Sequence, residues 1–152
     1  MNDKVLNKID ILLTEDGFKR KRGKVWFIDE KWFSFIFEIQ PSRFSDIFFI
    51  NYGVYFFELN NTKFDYKSDS IHLCGRLDPY NNNLLPENAD DLQVVTYIKE
   101  ILSSKINTLL IRIKNPDKGL ITSILSFQEV SPQNTMPENI IAVIKAHSVK
   151  EI

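Results

Sequence analysis

The sequence predicts an α+β fold: an N-terminal helix, an antiparallel meander of about four strands, and a C-terminal helical cluster packed on one sheet face. Three observations predict it. Residues 3–16 carry apolar residues at helical spacing. Residues 24–77 hold apolar and aromatic runs separated by short polar breaks. Beyond residue 88 the period turns helical again. Strands grouped together and followed by grouped helices are the pattern of segregated α+β layers.

The first helix is read from Val5, Leu6, Ile9, Leu12 and Leu13, which form one stripe. Asp3 is placed as its N-cap. Gly17 is its left-handed stop, with Phe18 folding back on Leu13. The strands are "KVWFI" (24–28), "WFSFIFEIQ" (32–40), "IFFINYGVYFFEL" (47–59) and "SIHLCGRL" (70–77). The breaks "DEK" and "PSRFSD" are short, so consecutive strands must run antiparallel.

Register follows from the faces. Phe33, Phe35, Phe37 and Ile39 share one side of their strand; Phe48, Ile50, Tyr52, Val54 and Phe56 share one side of the next. Pairing odd positions of the first with even positions of the second joins the aromatic sides, and a one-residue slip would mix them. Asn51, Gly53 and Tyr55 then lie on a second face with Ser34, Glu38 and Gln40. In the last strand Ile71, Leu73 and Leu77 go to the core, and His72, Cys74 and Arg76 join the second face.

"DPYNNNLLPENAD" (78–90) reads as a loop. Leu92, Val95, Ile98, Leu102, Ile106, Leu109 and Ile113 then mark one long helix over 88–113, or two helices broken near Ser103–Ser104. A further helix starts with Asn115 as cap and Pro116 at its first position, turning Ile121, Ile124 and Leu125 inward. Thr135 and Glu138 have capping-box spacing before a last helix with Ile140, Ile141 and Ile144 inward. The whole chain, 1–152, is read as a single α+β domain without repeats or linkers.

Composition narrows the function classes. The net charge of −1, from 19 basic and 20 acidic residues, offers no global positive field for nucleic acid or an anionic membrane. One cysteine, Cys74, excludes an intramolecular disulfide and suits a reducing compartment. The start, "MNDKVLNKID", lacks a signal-peptide core, and the longest apolar run, 47–57, is too short for a helical span. A cytoplasmic protein that does not enter membranes is expected.

The glycines stand at 17, 23, 53, 75 and 119, so no GxG, GxSxG or Walker loop exists. His72 and Cys74 are two apart on a strand. A zinc site wants three or four ligands and the only other histidine is His147, so no metal is assigned. Two same-face strand residues point in parallel, so His72 does not serve Cys74 as a base, and no catalytic residue or cofactor is assigned. The basic run Lys19–Arg22 with Lys24 is read as a loop that is either solvated or in contact with phosphate or an acidic partner; Arg43 is a second exposed cation. The remaining constellation is the second face, with Glu38, Asn51, Tyr55, His72 and Arg76. An antiparallel sheet can leave such a face polar simply because it meets water. Alternatively it is a concave binding surface that Gly53 deepens by lacking a side chain.

Residues 17–77 resemble a bacterial family catalogued as domain of unknown function 4304. The resemblance rests on "GFKRKRGKVWF", "IQPSRFSDIFFINYGVYF" and "IHLCGRL", in that order and spacing. It implies Gln40, Ser42, Asn51, Gly53, His72 and Arg76 as the marked positions, and it implies no activity. The binding candidates are therefore Gln40, Ser42, Arg43, Asn51, Gly53, Tyr55, His72 and Arg76. The leading expectation is a non-enzymatic binding protein of inhibitor or immunity type acting on a protein partner. The first alternative is a small-molecule binder or enzyme in which His72 acts as acid or base, Arg76 as anion clamp and Asn51 as orienting amide. The second is weak nucleic-acid binding through Lys19–Lys24. Oligomeric state is left open.

Overall fold

A computed structural model describes residues 3–41, 48–59, 71–77, 91–149 and 151–152. The expected sites Ser42 and Arg43 and the loop 78–90 lie outside these residues. The first helix, α1, is Asp3–Glu15 and buries Val5, Ile9 and Leu13. It ends as its sequence predicts. Gly17 takes φ +96°, its N–H donates to the Thr14 carbonyl, and Phe18 donates to the Leu13 carbonyl at 2.9 Å, the double closure of a Schellman motif.

The strands are β1 (Lys19–Arg22), β2 (Val25–Asp29), β3 (Phe33–Pro41), β4 (Phe48–Phe56), β5 (Leu73–Arg76) and β6 (Ser131–Pro132). They form one antiparallel meander in sequence order. The β3–β4 register pairs Phe33 with Phe56, Phe35 with Val54, Phe37 with Tyr52 and Ile39 with Ile50, the odd-to-even pairing that joins the aromatic sides. These side chains form one core with Trp26, Phe18 and the helices. Trp26 is fully buried, and its indole N–H donates to Asp10 Oδ1 at 2.9 Å, which ties α1 to the sheet.

The basic run is not a loop. Lys19–Arg22 is the exposed edge strand β1, with a register shift between Arg20 and Arg22. Charged side chains and an irregular register are what keep an unpaired sheet edge from recruiting another strand.

The long helix runs on without a break in its helical backbone. The helix α2 (Asp91–Ile101) passes through a π turn at Leu102–Ile106 into α3 (Asn107–Lys114), with helical backbone at both junctions. The widened turn frees carbonyls, and Ser104 Oγ donates to the Glu100 carbonyl at 2.6 Å while Ser103 Oγ reaches the Lys99 carbonyl at 3.1 Å. The Ser103–Ser104 signal therefore marks a bulge, not a break. The buried stripe is Val94, Tyr97, Ile98, Ile101, Leu102 and Ile106, and Leu92, expected inside, is 76% exposed because it falls off that stripe. The Tyr97 hydroxyl is buried without a hydrogen-bond partner among the described residues. Tyr97→Phe removes that cost, so thermal unfolding should be unchanged or raised, by up to about 1 kcal/mol.

The helix α4 is Lys118–Ser126, capped not by Asn115 but by Asp117, whose carboxylate accepts the Leu120 N–H at 2.8 Å. Leu120 and Ile124 are buried, and Leu125, expected inside, is exposed. The capping box of Thr135 and Glu138 does not form. The helix α5 (Pro137–His147) begins with Met136 as cap and Pro137 at its first position, where a missing N–H costs nothing. Its buried residues are Ile140, Val143 and Ile144. His147 stacks on Trp32 at 4.4 Å and pairs with Glu58, fixing the end of α5 against the turn after β4.

Candidate functional site

The helices cover the aromatic face, and the second face divides in two. One half is apolar. Ile36, Tyr55 and Ile71 are buried together, with Val25, Phe27 and Cys74 packed on them. Ile71, expected in the main core, lies here because the β5 ladder begins only at Leu73, so strand alternation does not reach back to it. Its side chain fills the space over Gly53: a Cβ there would stand 2.7 Å from Ile71 Cδ1 and 2.8 Å from Cγ2. The missing side chain at 53 is thus a socket for Ile71 and does not by itself open a groove.

The other half is polar and tightly wired. Register places Glu38, Asn51 and Arg76 in one cross-strand row, with Gln40 and Phe49 in the next. Arg76 Nε donates to Asn51 Oδ1 and its Nη2 to Gln40 Oε1, both at 2.7 Å. Asn51 Nδ2 donates to Gln40 Oε1 at 2.8 Å and to Glu38 Oε1 at 3.1 Å. A guanidinium can only donate, so both amides must turn their oxygens toward it, which fixes their orientation. The guanidinium lies 4.5 Å from the centre of the Phe49 ring.

The two halves meet in a cavity of about 590 Å³. Ile36, Gly53 and Ile71 line its apolar side; Glu38, Gln40, Asn51 and Arg76 its polar side; Ser131 and Gln133 its far wall. That wall belongs to a strained segment. Phe127, Glu129 and Asn134 have φ of +59°, +67° and +56°, a region that non-glycine residues enter at a cost. The segment is pinned by its contacts: Tyr52 Oη donates to the Glu129 carbonyl at 2.5 Å, Gln133 N–H to the His72 carbonyl at 2.7 Å, and Asn134 Nδ2 to the Ile71 carbonyl at 3.0 Å. Phe127 is exposed and has no need of its side chain there. Phe127→Gly should raise stability by about 1 kcal/mol, read as a higher urea midpoint at unchanged slope.

His72 and Tyr55 do not line the cavity. His72 is 6% exposed, stacks on Tyr55 at 4.8 Å, and its Nδ1 accepts the Phe56 N–H at 2.9 Å. It closes the end of β4 in place of a backbone carbonyl. The expected grouping of His72 with Arg76 and Asn51 is therefore not what the structure brings together; Gln40, Asn51, Arg76 and Glu38 are. Burial holds His72 below the ordinary imidazole range and raises Tyr55. Burial, then Glu129 and Cys74, push Tyr52 up to about 12. Burial also raises the Cys74 thiol, with Gln133 and Arg76 working against it. Each of these groups is held toward its neutral form. Arg76 is the cation of the site, held by the Asn51 and Gln40 amide oxygens.

Phe49, Gly75, Ser131 and Gln133 were not singled out from the sequence. Phe49 carries a signal, since it precedes Ile50-Asn51 on the second face of β4, but the β6 residues reach the site through a two-residue strand with no pattern of its own. Among the described residues none of Lys19–Lys24 lines the cavity, and no three His, Cys, Asp or Glu side chains converge as a metal site requires. No described helix is long and apolar enough to cross a membrane.

No curated protein and no solved structure matches the chain. A family model matches residues 9–105, which takes in α1 from Ile9 onward, β1 to β5, α2 and all but the last residue of the π turn, but not the β6 wall of the cavity. That match spans more than half of the sequence, and the chain belongs to the family described as Domain of unknown function (DUF4304).

Proposed function

We propose that this chain is a non-enzymatic binding protein whose recognition surface is the polar half of the second sheet face, and that it acts on a protein partner as an inhibitor or immunity-type protein. We place it in the bacterial cytoplasm, where a lone free thiol at Cys74 is at home. The observation that carries the reading is the Arg76 cluster. A cation is held rigid by two neutral amides and an aromatic ring, with Glu38 bonded to one of those amides. Rigid Arg anchors flanked by aromatic side chains are what binding hot spots are made of. General acid–base chemistry would need a group poised near neutrality, and His72, the nearest histidine, is engaged with the Phe56 N–H.

The test is capture from native-level expression with the wild-type chain and with Arg76→Ala, followed by calorimetry on the purified partner. Arg76→Ala should weaken binding at least tenfold, about 1.4 kcal/mol, with folding unchanged. Equal affinity of the two chains would remove the cluster from the interface. The cavity supports a second reading, a small-molecule site, because about 590 Å³ lies within the usual range for ligand pockets. Nucleic-acid binding through Lys19–Lys24 has only the exposed edge strand in its favour. Any such affinity should fall steeply with salt, and no affinity at low ionic strength ends that reading.

A further inference from the structure

The geometry points to a carboxylate subsite at Arg76, which takes a singly charged carboxylate whose attached apolar group lies on Ile36 and Ile71. This deepens the binding reading above and rests on it. A guanidinium offers two parallel forks, one from Nε and Nη2 and one from Nη1 and Nη2. The first fork is occupied. Asn51 Oδ1 and Gln40 Oε1 sit on it at 2.7 Å each and together imitate the two oxygens of a carboxylate. Among the described residues the second fork has no partner, and no carboxylate pairs with Arg76. Phe49 supports the guanidinium at 4.5 Å from its ring centre, so the open fork is held in one plane. A fork fixed on one side and open on the other binds a planar oxyanion with little further loss of side-chain freedom.

Charge and lining select among oxyanions. Glu38 stands in the same cross-strand row, with its carboxylate accepting from Asn51 at 3.1 Å. Its charge offsets that of Arg76, so a dianion such as phosphate meets repulsion that a monoanion meets less. The opposite side of the cavity is apolar through Ile36 and Ile71. A carboxylate joined to a compact aliphatic group satisfies both sides. Such a group occurs at the C-terminus of a polypeptide ending in an aliphatic residue, and in free branched-chain organic acids.

Four probes titrated into the full chain test this at low ionic strength by ¹H–¹⁵N spectra: N-acetyl-glycyl-leucine, its C-terminal amide, 4-methylpentanoate and inorganic phosphate. At least one of the two acids should saturate, moving the Asn51 and Gln40 side-chain amide signals. The peptide amide and phosphate should bind at least tenfold more weakly than that acid. Arg76→Lys, which keeps the charge but loses the fork, should weaken the acid about tenfold while the spectrum stays that of a folded chain. Stronger binding of the peptide acid identifies a chain terminus as the source, and stronger binding of 4-methylpentanoate a free acid; either supports the subsite. Amide binding equal to acid binding, tighter binding of phosphate, unchanged affinity in Arg76→Lys, or no saturation by either acid overturns it. Failure of both acids while Arg76→Ala still abolishes partner capture removes the carboxylate subsite and leaves the binding reading standing. Acid binding with capture unaffected by Arg76→Ala does the reverse.

Discussion

Gly75→Ala should cost about 3 kcal/mol of folding stability, because the added methyl meets the tightest contacts of any of the five glycines. A Cβ at this position would lie 2.3 Å from the Glu129 carbonyl oxygen and 2.3 Å from Tyr52 Cε2. Neither neighbour can give way cheaply. Tyr52 lies opposite Gly75 in the β4–β5 ladder, stacks on Phe35, and donates its hydroxyl to that same Glu129 carbonyl at 2.5 Å. Glu129 itself is in a left-handed conformation, with its side chain held by Arg112 at 2.8 Å. The added methyl must therefore break the Tyr52 bond or displace a backbone that is already strained. Gly53→Ala is the comparison. The three atoms nearest its Cβ all belong to the Ile71 side chain, the first at 2.7 Å, and that side chain bounds a cavity into which it can shift. About 1 kcal/mol is expected there. Urea denaturation of both variants separates the two, and equal losses would refute the assignment of Gly75 as the tighter position.

His72 carries the second large effect, and it has a pH signature. Its Nδ1 is the acceptor for the Phe56 N–H in a buried position. His72→Leu leaves that N–H unpaired and should cost about 2 kcal/mol. His72→Asn can return an acceptor oxygen and should cost less. The sign of the pH effect follows from the depressed folded-state pKa. The unfolded chain takes up a proton on His72 near pH 6.5, before the folded chain does. The stabilisation is fully present above that pH and is lost as pH falls from there through the lower folded pKa. Urea midpoints measured at steps between about pH 7.5 and 5 should fall for the wild type and fall less for His72→Asn. Parallel curves would show that another group governs the acid limb.

The strand register was legible because aromatic and polar residues alternate in β3 and β4, and only one pairing buries one set. The Schellman ending of α1 was legible because Leu13, Gly17 and Phe18 carry it in six residues. The candidate site was half legible. Asn51, Gln40 and Arg76 follow from period two and register. The exclusion of His72 does not, because β5 begins one residue after it and alternation gives no guide outside a ladder. The cap of α4 at Asp117 was hidden by the equally suitable Asn115 two residues earlier.

By itself the sequence determined what local periodicity and side-chain chemistry control: the order of α1, β2 to β5 and the C-terminal helices, the pairing of β3 with β4, the faces of those two strands, and the absence of any glycine-rich phosphate loop. The tertiary structure alone decided what depends on residues far apart in the chain. Ile71 fills the space over Gly53, the Glu129 carbonyl closes on Tyr52 and Gly75, and the 127–134 segment returns to wall a cavity made by β3, β4 and β5. Such contacts are set by packing between elements, which leaves no period in the sequence, and they determine which polar residues of the second face share one site.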